Sequence, residues 1–114
     1  MRLLLRWLSG ARVDSPPQQR RPHPKNVPGP FYVEDGCCLA CGVWEIDAAP
    51  HFAWEDEPVP HCFVSRQPET DAEARNMAEA ISKQEVDCIR FRGPNSAWRQ
   101  MLRDAGLKEF IDPD

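Results

Sequence analysis

Five cysteines constrain this 114-residue chain more than any other residue type. Three fall in the run Cys37-Cys38-Leu39-Ala40-Cys41-Gly42, and Cys62 and Cys88 stand alone downstream. An odd count leaves one thiol over in any pure disulfide framework. Two cysteines three apart on a tight loop, with a remote thiol on another element, offer a different use. Thiolate sulfur is soft, so such a set can grip a metal ion or an iron–sulfur cluster. Gly36 and Gly42 bracket the loop and would let its backbone approach a ligand closely. Cys37 and Cys38 are adjacent, so their side chains diverge and only one of them is expected at a shared site.

The length suits one domain with one modest core. No run approaches the roughly 20 apolar residues needed to span a bilayer. The short apolar stretch Met1 to Leu8 is broken by Arg6 and followed by no clear cleavage site, so no secretory signal is expected. The expected compartment is the cytoplasm, where thiols stay reduced. The net charge of −4 hides a division. Residues 1–28 carry six basic groups against one acid, and residues 29–114 carry eight against seventeen. The basic segment reads as a solvated arm, with weak attraction to nucleic acid or anionic lipid as the alternative. The acidic remainder repels nucleic acid, so no specific nucleic-acid partner is expected.

Prolines at 16, 17, 22, 24, 28 and 30 remove backbone donors across a segment with few apolar groups. The expected division is therefore a basic, Pro-rich, disordered extension over 1–28 and a folded domain over 29–114. Within the domain, residues 30–34 predict a strand, 42–49 a short helix, and 52–54 with 61–65 a hairpin. Thr70 and Glu73 have the spacing of a capping box, which predicts a helix to about Lys83. Residues 86–91 predict a fourth strand. Asn95 or Ser96 can cap a last helix that Gly106 ends. The fold class is α+β.

The stretch 29–92 resembles the single-cluster bacterial ferredoxins and ferredoxin-like proteins. Residues 29–35 (GPFYVED) look like the lead-in strand, and Cys38-Leu39-Ala40-Cys41-Gly42-Val43 looks like the first part of the cluster loop. Residues 48–52 (AAPHF) resemble the exit from that loop, and 61–69 (HCFVSRQPE) the return strand. Cys88 matches the remote cluster cysteine. The resemblance implies a ferredoxin-like fold, two helices against a small antiparallel sheet, here with an added C-terminal helix. It also implies electron transport by one iron–sulfur cluster. Two positions depart from the pattern: Trp44 stands where a third loop cysteine is usual, and Ile89 replaces the proline after the remote cysteine. The implied ligands are Cys38, Cys41 and Cys88, with Cys62 as the fourth, around a [4Fe-4S] or [3Fe-4S] cluster.

Zinc held by the same four cysteines is the alternative cofactor, with His61 a substitute for Cys62. A cofactor-free interaction protein with buried thiols is a third reading. His23 is expected in solvent, and His51 at the surface or supporting a ligand. Trp44, Trp54 and Trp98 are expected in the core. Acids Glu34, Asp35, Glu45, Asp47, Glu55, Asp56 and Glu57 flank the cysteine loop. They form either a solvated face or a docking patch for a redox protein with a basic face. A monomer is expected. No Ser/His/Asp set or paired-carboxylate spacing points to an enzyme.

Overall fold

Asn26 is the residue on which the architecture turns. Its Oδ1 accepts the Val33 N–H at 3.3 Å and the Val64 N–H at 2.8 Å, and its Nδ2 donates to the Val33 carbonyl at 2.9 Å. It thereby ties together two separate antiparallel pairs. Strand β1 (Phe31–Val33) pairs with β4 (Ile89–Phe91), and β2 (Phe52–Glu55) pairs with β3 (His61–Val64). The computed structural model describes residues 21–36, 42–55, 61–84 and 87–113.

Among those residues three helices complete an α+β fold: α1 (Trp44–Asp47), α2 (Asp71–Lys83) and α3 (Ser96–Asp104). The local signals explain them. Thr70 Oγ1 accepts the Glu73 N–H at 3.1 Å, so the expected cap forms. The return arm differs, because the Glu73 carboxylate accepts from the Glu69 N–H at 2.8 Å, one residue further back than a capping box requires. Asn95 caps α3 through the Trp98 N–H at 3.0 Å. The Leu107 N–H returns to the Leu102 carbonyl at 2.9 Å across Gly106, at φ +80°.

The expected single sheet is instead two pairs joined by side chains and by the segment before β1. His23 N–H donates to Val33 O at 2.8 Å, and Val27 N–H to Val64 O at 2.9 Å. Gln67 imitates a strand: its Oε1 accepts from Phe31 N–H, and its Nε2 donates to the carbonyls of Phe31 and Val27. Gly29 makes room for it, since a Cβ there would lie 2.3 Å from Gln67 Cγ. Residues 21–28 therefore belong to the folded unit. The expected boundary at 28 falls inside packed structure, and residues 1–20 lie outside the described residues. Prolines 22, 24 and 28 did not prevent this, because neighbouring His23, Asn26 and Val27 supply the hydrogen bonds that prolines cannot.

Phe31, Val33, Phe91, Val64, Met77, Ile81 and Leu102 form the centre of the core. The other end of the β1–β4 ladder is closed by the C-terminus. Ile111 bridges Phe91, Arg90 Nε donates to Asp112 Oδ1 at 2.9 Å, and Tyr32 Oη donates to Asp112 Oδ2. Burial, then the Asp112 carboxylate, push the Tyr32 hydroxyl well above the usual tyrosine range.

Candidate functional site

The two described cysteines lie at the two ends of the cysteine segment. Cys37, Cys38 and Cys41 lie outside the described residues. Upstream, β1 runs beside β4, and the Glu34 N–H donates to the Cys88 carbonyl at 2.9 Å. Two residues of chain, Asp35 and Gly36, separate Glu34 from Cys37. Gln84 fixes this end: its Oε1 accepts from Cys88 N–H and Ile89 N–H, and its Nε2 donates to Ile89 O. Downstream, Gly42 directly follows Cys41 and sits at φ +67°, where a Cβ would lie 3.7 Å from Trp54 Cζ2 and 2.9 Å from Glu45 Oε1. Trp54 is the cross-strand partner of Cys62.

Both cysteines are buried, at 3 % exposure for Cys62 and 4 % for Cys88. Cys62 is a reduced thiol. Cys88 is in a disulfide. Among the described residues, no group of three or more His, Cys, Asp or Glu side chains is arranged to hold a metal ion. Two of the four expected ligands, Cys38 and Cys41, fall outside that set.

Aromatic rings wall the Cys62 side. Strand alternation places Phe52, Trp54, Cys62 and Val64 on one face of the β2–β3 pair. Trp44 covers that face, stacked on Phe52 at 5.3 Å and tilted against Trp54 at 5.2 Å. Trp44 is in the core as expected, whereas Trp54 and Trp98 are half-buried against it. The Trp44 indole N–H is buried and has no hydrogen-bond partner among the described residues. His61 Nδ1 is likewise buried without one. His61 precedes Cys62 on the strand and points to the opposite face, so the two cannot substitute for one another at a shared site.

The histidines depart from expectation. His23 is buried against Phe63, with ring centroids 5.5 Å apart. Its Nδ1 accepts the Lys25 N–H at 3.0 Å, which places the proton on Nε2, 2.8 Å from Glu55 Oε1. A solvated His23 was expected because its flanking prolines suggest an open arm, but β1 and β3 cover it. His51 is also buried, and its Nδ1–H donates to the Arg66 carbonyl at 2.8 Å. It braces the turn into α2 and is not a surface residue.

Several acids of the expected docking face are engaged within the fold. Glu45 accepts from Trp54 Nε1–H at 3.2 Å, Asp47 pairs with Lys83 at 2.7 Å, and Glu55 pairs with His23 and Lys25. Hydrogen bonds from Lys25 and His23 hold the Glu55 carboxyl below its ordinary range, and the Asp47 bond raises Lys83. Asp56 and Glu57 lie outside the described residues. Gln84 and Trp54, which position the two cysteines, carried no motif in the sequence. Only the distance of Gln84 from Cys88, four residues, hints at its role.

No family model matches the chain, and comparison with curated proteins and with solved structures finds no match.

Proposed function

We propose that the chain is a small ferredoxin-like protein that binds one iron–sulfur cluster, [4Fe-4S] or [3Fe-4S], and carries single electrons between redox partners. The observation that supports this reading is the placement of Cys88 and Cys62 at the two ends of the cysteine segment. The Glu34–Cys88 bond tethers one end, and at the other a Cβ on Gly42 would lie 3.7 Å from Trp54, on the strand pair that carries Cys62. When bound, such a cluster accepts and releases one electron at a time. The chain's own part is to bind and shield it. Cys38, Cys41, Cys62 and Cys88 supply thiolates, while Phe52, Trp54 and Trp44 exclude water on the Cys62 side. Gln84 fixes the backbone at Cys88. The Cys88 disulfide must first be reduced to two thiols, with two electrons and two protons from an external dithiol. No bond chemistry is assigned to the protein itself, and the partner is a redox protein of the cytoplasm. No helix among the described residues is long and apolar enough to cross a membrane.

The disulfide favours a second reading, a cofactor-free interaction protein stapled at Cys88. Anaerobic purification under a dithiol separates the two. The first reading expects brown protein with iron and acid-labile sulfide in a fixed ratio to chain, lost in Cys62→Ala. Colourless, folded, metal-free protein under the same conditions supports the second reading, and stoichiometric zinc supports a structural zinc module.

A further inference from the structure

At the end of the β1–β4 ladder away from Cys88, an open cavity of about 860 Å³ lies among Pro30, Arg92, Gly93, Pro94, Trp98 and Pro113. That volume falls in the range of small-molecule sites, which are mostly apolar with a few placed polar groups. The walls are held from behind. Trp98 packs on Phe31 with ring centroids 6.1 Å apart, and its indole N–H donates to Asp71 Oδ1 at 2.9 Å. The Arg92 N–H donates to the Pro30 carbonyl at 2.9 Å, and Arg99 Nη1 donates to the Gly93 carbonyl at 2.8 Å. Both backbone edges are thereby pinned. The three prolines add apolar rings and no backbone donors.

The charge at this cavity is one-sided. None of the described residues lining it is an acid, and one, Arg92, is a cation. Arg92 is exposed, with Cζ 4.9 Å from the centroid of the Tyr32 ring. Stacking on that ring orients the guanidinium and leaves its in-plane N–H donors open. Among the described residues no carboxylate pairs with it. Arg90, two residues earlier on the strand, has Asp112 as its partner, and Asp71 is engaged by Trp98. An oriented guanidinium matches the two oxygens of a carboxylate. We infer that this cavity binds a small aryl carboxylate. Arg92 takes the carboxylate, and the aromatic body lies against Trp98 and the proline rings. The site stands apart from the cysteine side and does not depend on the iron–sulfur reading.

Naphthoate titrated into the full chain, followed by calorimetry and by backbone amide NMR, tests this. The expected result is one saturable site, with the largest chemical-shift changes at Arg92, Gly93, Asn95 and Trp98. Arg92→Gln should weaken binding by about tenfold or more, and Arg92→Lys, which keeps the charge, should recover part of that loss. Naphthalenemethanol carries the same ring without the charge. It should bind about tenfold more weakly than naphthoate, and equally to wild type and Arg92→Gln. No saturation at millimolar naphthoate overturns the inference. So do equal affinities for acid and alcohol, or shift changes centred away from the cavity. Should Arg92→Gln lose its fold by circular dichroism, the difference between acid and alcohol on wild type decides together with the map of shifts.

Discussion

The C-terminal clasp and the cysteine side of this fold are both buried, but they treat polar groups differently. At the clasp, Asp112 accepts from Tyr32 and Arg90, and the Arg90 Nη2 donates onward to the Glu109 carbonyl at 2.9 Å. At the cysteine side, Trp44 Nε1 is buried without a partner among the described residues. The clasp is complete once the chain folds. The cysteine side keeps one buried donor, the Trp44 indole N–H, that no described residue satisfies.

The largest effect should come from breaking the complete region. Asp112→Ala leaves the Arg90 guanidinium, 4 % exposed in its side chain, as an uncompensated buried charge. Loss of about 3–5 kcal/mol is expected, read by urea unfolding. A loss below about 1 kcal/mol would mean that water enters the clasp and that the contrast between the two regions is false.

The same region predicts a response to alkali. Burial and the Asp112 carboxylate raise the Tyr32 hydroxyl above its ordinary value of 10.0. The folded chain therefore keeps a proton that the unfolded chain releases. Stability from this group is complete below about pH 10 and declines above it, by up to about 1.4 kcal/mol per pH unit until the folded group itself titrates. Unfolding free energies from pH 8 to 11 should bend downward in wild type, and the bend should shrink in Tyr32→Phe. An identical bend in both proteins would assign it to other groups.

What the sequence reveals about each region follows from how local its determinants are. Thr70 and Asn95 cap their helices through residues three positions away, so α2 and α3 were legible from spacing alone. The hairpin of 52–55 with 61–64 was legible for the same reason. Asn26 and Gln67 were not. Each replaces strand hydrogen bonds across 36 to 40 residues of sequence or bridges strands that are distant in the chain, and neither type of residue announces such a role. The burial of His23 depends on β1 and β3 closing over it, which no local pattern encodes. At the candidate site the cysteine spacing was visible at once. That Cys88 stands beside Glu34, and Gly42 beside Trp54, depends on the pairing of β1 with β4 and on the packing of the loop exit against β2.

The smallest expected effect lies on the outer face of the β2–β3 pair, behind the cysteine side. Glu55 accepts hydrogen bonds from Lys25 and His23, which lower its carboxyl pKa in the folded state. The unfolded chain then takes up a proton at higher pH than the folded chain does. The contribution of Glu55 is present above the ordinary carboxylate range and is lost as pH falls through the depressed folded value. Acid unfolding of Glu55→Gln should therefore be less steep than that of wild type between about pH 5 and 3, with little difference at pH 7 beyond the loss of the exposed Lys25 contact. If the two acid limbs superimpose, Glu55 holds His23 by geometry and not by charge. The ordering of residues 21–28 would then rest on the Asn26 side-chain bonds, the His23 and Val27 backbone bonds and Gln67, and the outer face would be fixed by hydrogen bonds that do not titrate in acid.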